Sequence, residues 1–128
     1  ANRDGEVLLI RRARDPGRGK LSLPGGFVDP GESGEEAIAR EVFEEVNLTV
    51  SNFSYLASFP NEYRFQGVIY PVLDVFFIAR TDSFSGARAM SEVQSLEIAS
   101  PADVQYGEIA FPTVARALKL YAAQSVRG

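Results

Sequence analysis

Three glutamates, Glu41, Glu44 and Glu45, are the residues of this chain whose spacing most plainly invites chemistry. At 100° per residue they fall together on one side of a helix. Glu41 stands at i,i+3 and i,i+4 from the other two, where like charges repel. No Lys or Arg follows any of them at i+4, since those places are Glu45, Leu48 and Thr49. An acidic helix face is ordinarily a solvated surface, but this one repels itself unless something positive binds. The 128-residue chain has no histidine and no cysteine. Imidazole and thiolate metal sites, zinc fingers, Ser-His-Asp triads and thiol catalysis are thereby excluded. A metal here must be held by oxygen, which points to Mg²⁺, Mn²⁺ or Ca²⁺.

The charge distribution sharpens the same point. The net charge is −4, yet residues 29–45 carry seven acids and one base, Arg40, while the remainder of the chain is +2. The chain reads as a mildly basic domain with one concentrated acidic segment. The bases are richest early, Arg11, Arg12, Arg14, Arg18 and Lys20 lying within the first twenty residues.

Several elements must position these groups. Ser33 and Glu36 form a capping box, so a helix should start near Gly34. Its apolar stripe would be Ile38, Ala39, Val42, Phe43 and Val46, and Asn47 suits the left-handed residue that ends a helix. Before it, Val7–Ile10 read as a strand running into Arg11 and Arg12, and 13–20 as a polar loop turning at Pro16-Gly17. Leu21–Phe27 read as a strand fragment broken by Pro24-Gly25-Gly26. After the helix, 48–59 and 68–80 read as long strands joined by a polar, aromatic segment from Pro60 to Gly67. Pro71 marks an edge or bulge. Ser83–Ser91 form a small-residue loop, Val93–Ile98 another strand, and Pro112–Ala122 a closing helix with Val114, Ala115, Leu118 and Tyr121 as its stripe. The expected fold is α+β, one domain over 1–128, with strands layered between two helices. Asn2-Arg3-Asp4-Gly5 reads as a hairpin turn, so a strand is expected before residue 1. No apolar run approaches the ~18 residues that span a bilayer, and no leader pattern is visible. A cytoplasmic location with no membrane partner is expected. A pI of about 4.8 and the lack of a basic stripe argue against nucleic acid as a partner.

The order Gly26, Glu32, Arg40-Glu41, Val42-Phe43, Glu44-Glu45, Val46, Asn47, Leu48 resembles the Nudix box of the Nudix hydrolases. One position departs, Asn47 standing where the family has Gly. The likeness extends to LLIRRARDPGRGKLSLPGGFVDPGE, where Leu21 replaces a frequent Trp, and to SEVQSLEIASPADV and IAFPTVARAL. It implies an α/β/α sandwich with a mixed sheet between the box helix and the C-terminal helix. It also implies Mg²⁺-dependent hydrolysis, with Mn²⁺ as a substitute, of the diphosphate in a nucleoside diphosphate joined to another moiety. The implied metal ligands are Glu41, Glu44, Glu45 and the carbonyl of Gly26. Arg40 would fix a glutamate, Glu32 would act structurally or as a further ligand, and Glu92 stands where a later-loop glutamate serves as base. Arg11, Arg12, Arg14, Arg18 and Lys20 become candidate phosphate contacts, Arg12 preferred because it ends a strand leading to the site. Tyr63 and Phe65, with Arg64 between them, could stack on a base, though hairpin aromatics more often pack on the core, and Phe27 carries the same ambiguity. A small-molecule nucleotide of ADP-ribose or NADH type is the expected substrate and a homodimer stays open. Alternatives are a hydrolase of oxidised nucleoside triphosphates and a non-catalytic nucleotide-sensing module.

Overall fold

A computed structural model describes residues 1–127. The strand β1 (Val7–Arg12) lies at the centre of the packing, because both of its faces are apolar and each is covered by one helix. Val7 and Leu9 meet Leu21, Val104 and the α2 residues (α2, Pro112–Arg127) Val114, Leu118 and Tyr121. Leu8 and Ile10 meet Val42 and Val46 of α1 (Gly34–Val46), together with Leu48 and Val93. The period-2 alternation of β1 therefore divides the core between two helices. Each fully buried side chain of the size of Leu9 contributes ~1.5–3 kcal/mol.

β1 pairs antiparallel with the short β2 (Leu21–Ser22) on one side and with β5 (Val93–Ala99) on the other. β3 (Ser51–Phe65) and β4 (Val68–Arg80) form a separate antiparallel pair. The α+β class with strands between two helices is the observed one. The strands divide into two sheets, and the one parallel contact among the described residues outside those ladders is a bridge between Leu21 and Ile109.

Three local expectations change. First, β3 does not stop at 59 but runs through Pro60 to Phe65, and the aromatic segment is strand with a tight turn at Gln66-Gly67. Both turn residues have positive φ (50° and 78°), the type I′ geometry that suits a two-residue hairpin. In a two-stranded ladder half the N–H groups face outward, so Pro60 and Pro71 are tolerated. Second, Phe43 is exposed, because it lies at the margin of a stripe centred on Val42. Third, α2 buries Ala117 rather than Ala115 beside Val114, Leu118 and Tyr121. The turn at 2–5 forms as expected: Gly5 N–H donates to the Asn2 carbonyl and the Asn2 side chain accepts from Asp4 and Glu6. Among the described residues no helix is long and apolar enough to cross a membrane.

Candidate active site

Helix α1 starts and stops where its caps dictate. Ser33 Oγ accepts from Glu36 N–H and the Glu36 carboxylate accepts from Ser33 N–H. Asn47 closes the helix at φ 61° with its N–H on the Phe43 carbonyl. Those bounds put Val42 and Val46 into the core and carry Glu41, Glu44 and Glu45 to the rim.

Arg40 organises much of the acidic segment. Its Nε and Nη2 fork onto the two oxygens of Glu32 at 2.8 and 2.9 Å. Nη1 meets Glu41 at 2.9 Å and Glu44 at 3.3 Å, Nη2 donates to the Phe27 carbonyl at 3.1 Å, and Asp29 stands 3.3 Å away. These hydrogen bonds hold the guanidinium well above its ordinary pKa, Glu32 making the largest contribution. In return they hold the Glu32 carboxyl below its ordinary range, aided by the Asp29 N–H. With both oxygens on Arg40, Glu32 acts here as the anchor of that arginine.

Glu45 is the contrasting member of the face. It is half-buried, and Gly25 N–H donates to its Oε2 at 2.8 Å. Burial pushes its pKa up to about 7; the Gly25 bond and the charge of Arg12 oppose this, and the charges of Glu41 and Glu92 add to it. A half-buried carboxylate among other carboxylates is the donor set that a hard divalent cation neutralises. Gly26 adds a spatial constraint, since a Cβ there would stand 2.6 Å from Glu41 Oε1. A larger residue there would push the Glu41 carboxylate out of its present position on Arg40. Among the described residues no three carboxylates converge on one point as they stand, Glu41 being drawn to Arg40. The chemistry of the set, three helix carboxylates and a backbone carbonyl at a glycine, nevertheless fits Mg²⁺ or Mn²⁺.

The remaining candidates separate by their partners. Arg12 lies over the Phe111 ring at 5.1 Å and donates from Nε to the Pro16 carbonyl at 2.6 Å, and its charge reaches Glu45. Arg11 is tied down on the α2 side. It pairs with Glu97 at 2.9 Å and Glu108 at 3.3 Å and donates to the Gly19 carbonyl, so the expected phosphate contact is committed to structure on the α2 side. Glu92 precedes β5 and pairs with Arg14 at 3.0 Å. It is brought near Glu45 because Met90 and Arg88 N–H groups bind the carbonyls of Glu45 and Val46.

Phe27 and Tyr63 meet edge to face with centroids 4.9 Å apart, and Phe65 stacks on Tyr63 at 6.2 Å and 13°. Phe27 and Phe65 are more than half exposed, so these aromatics form a surface shelf beside Gly26 and not core packing. Arg64, next to Tyr63 on β3, pairs with Ile69 on the opposite face of the hairpin and so cannot join that shelf. Sequence reasoning missed Asp29 as an Arg40 partner and the Gly25 N–H as the Glu45 anchor. The Pro24-Gly25-Gly26 turn was the available signal for the second.

The NUDIX domain family matches residues 1–122. The chain belongs to this family. It is 50% identical over 46 residues (36% of this chain, 27% of the relative) to a protein of Methanocaldococcus jannaschii named ADP-ribose pyrophosphatase. It is 43% identical over 65 residues (51% and 35%) to an RNA pyrophosphohydrolase of Proteus mirabilis. These matches span about a third or less of those relatives' length. The crystal structure of a MutT NUDIX hydrolase from Burkholderia pseudomallei superposes with a TM-score of 0.76 at 27% identity, over 92% of this chain and 89% of that one.

Proposed function

We propose that this NUDIX chain is a divalent-metal-dependent pyrophosphohydrolase that cleaves the diphosphate of a nucleoside diphosphate joined to a second moiety, of ADP-ribose or NADH type. The observation that carries the reading is Glu45, half-buried beside Glu41 and Glu92 and held on Gly25, a carboxylate whose surroundings call for a cation. Glu41, Glu44, Glu45 and the Gly26 carbonyl would hold Mg²⁺ or Mn²⁺. When bound, such an ion neutralises phosphate charge and lowers the pKa of its water. Arg40 keeps Glu41 and Glu44 oriented from behind, a role whose loss ordinarily costs tenfold or more. Arg12 offers positive charge to the diphosphate from the β1 side, and the Glu92 carboxylate is the proton acceptor. Phe27 and Tyr63 offer a stacking surface for the base. Support for an ADP-ribose substrate comes from the name of the Methanocaldococcus relative.

The RNA pyrophosphohydrolase relative favours a second reading, a 5′-phosphorylated RNA end, because the open shelf leaves room for a longer chain beyond the base. The test is incubation with Mg²⁺ and a panel of ADP-ribose, NADH, oxidised dGTP and a 5′-triphosphorylated oligonucleotide, with chromatography of the products. ADP-ribose should yield AMP and ribose 5-phosphate. Binding of panel members without turnover of any would replace the enzyme with a nucleotide-sensing module.

A further inference from the structure

Glu92 combines a constrained main chain with a loosely held side chain. Its φ is +63°, a conformation that a side chain with a Cβ disfavours. The chain around it is nonetheless pinned on several sides. The Glu92 carbonyl accepts from Ala13 N–H at 3.2 Å, and Val93 N–H closes a turn onto the Met90 carbonyl at 2.9 Å. Met90 N–H in turn donates to the Glu45 carbonyl at 2.9 Å, which ties the segment to α1. The Glu92 carboxylate, by contrast, pairs with Arg14 across 3.0 Å while the two side chains are 61% and 68% exposed. Ion pairs this exposed are weak and exchange readily. An observed backbone outlier with a cheaply broken side-chain contact is the pattern of a group kept ready for another state.

Arg14 sits in the same loop that Arg12 organises. Gly19 N–H donates to the Arg12 carbonyl at 2.8 Å and Arg12 Nε to that of Pro16 at 2.6 Å. Arg14 is held at Glu92, whose segment is tied to the Glu45 carbonyl through the Met90 N–H, so Arg14 stands at the rim of the carboxylate face. A diphosphate arriving there presents more charge and more acceptor oxygens to a guanidinium than one carboxylate does.

We propose that Arg14 is an exchangeable counter-ion, paired with Glu92 while the site is empty of substrate and transferred to the diphosphate when substrate binds. The exchange makes the Arg14 cation conditional: it leaves Glu92 only when a diphosphate is there to take it, and the exposed pair costs little to break. The inference rests on the diphosphate reading but not on Glu92 being the base.

The test is calorimetric titration of α,β-methylene ADP-ribose, in the presence of Mg²⁺, into the intact protein and its R14Q, R14K, E92Q and R14Q/E92Q variants. Exchange predicts that R14Q weakens binding by about tenfold, with R14K recovering part of the loss. It predicts that E92Q, by freeing Arg14 from its competitor, tightens binding by about two- to fivefold. The double variant should then bind no more tightly than R14Q. If the E92Q gain persists in the R14Q background, the effect is general charge repulsion and the exchange is overturned. Unchanged affinity in R14Q or in E92Q overturns it as well. Failure of the unsubstituted protein to bind the analogue overturns the diphosphate reading and this inference together.

Discussion

The two faces of β1 put arginine–glutamate chemistry to opposite uses. On the α2 side Arg11 pairs with Glu97 and Glu108 and donates to the Gly19 carbonyl, joining β1, β5, the 106–108 turn and the β1–β2 loop. Arg11, Glu97 and Glu108 each have their partner inside the fold. On the α1 side Arg40 is equally saturated, by Glu32, Glu41, Glu44, Asp29 and the Phe27 carbonyl. Glu45, one turn along, is left with a single backbone N–H donor and with acidic neighbours. Closed networks hold a structure together, whereas an open one leaves a charge for a ligand to satisfy. The same two residue types therefore give scaffold on one face and a candidate site on the other.

The comparison breaks most visibly at the open end. E44Q and E45Q should each lower kcat on the hydrolysed panel member by about a hundredfold or more while far-UV circular dichroism is unchanged. Wild-type turnover in either would remove that glutamate from the ligand set. R40A follows, with turnover down about ten- to a hundredfold as Glu41 and Glu44 lose their orienting partner. R40K should recover little, because an ammonium cannot fork onto Glu32; full recovery would mean that charge alone matters.

The acidic helix was readable from its letters because its determinants are local: Ser33 and Glu36 three apart, a 3.6-residue stripe, and Asn47 at the cap. Its environment was less so. Asp29 and the Phe27 carbonyl reach Arg40 only because the 23–32 segment folds back over α1, a long-range event with no local signature. Nothing local to Arg11 says that Glu97 and Glu108 wait for it on the α2 side. The 60–65 segment misled because Pro60 looks like a strand breaker, and a Gln-Gly turn lacks the usual Asn or Asp. Once the hairpin is extended, Tyr63 reaches Phe27, and the aromatics expected mainly in the core stand at the surface.

A smaller effect concerns pH in the metal-free protein. Folding raises the Glu45 pKa from the ordinary 4.5 to about 7. Between those values the folded state binds more protons than the unfolded one, so stability falls as pH rises. The contribution is most favourable below 4.5 and is lost as pH climbs through about 7. Thermal melts in chelator should therefore show E45Q gaining on the unsubstituted protein between pH 5 and pH 8, and a gain that stays flat over that range would contradict the assigned environment. The smallest effect on turnover belongs to the closed face. R11Q should leave kcat and KM within about twofold while lowering Tm by several degrees, because the largely buried Arg11 ties β1 to Glu97, Glu108 and the Gly19 carbonyl. A large loss of turnover in R11Q would erase the distinction between the faces.

The measurement that bears most directly on the open carboxylate face is Mn²⁺ binding followed by electron paramagnetic resonance, with the unsubstituted protein, E45Q and R11Q titrated side by side. The unsubstituted protein and R11Q should bind Mn²⁺ with the same affinity, and E45Q should lose it by about tenfold or more. Equal binding in E45Q, or loss of binding in R11Q, would contradict the assignment of the α1 face as the metal site.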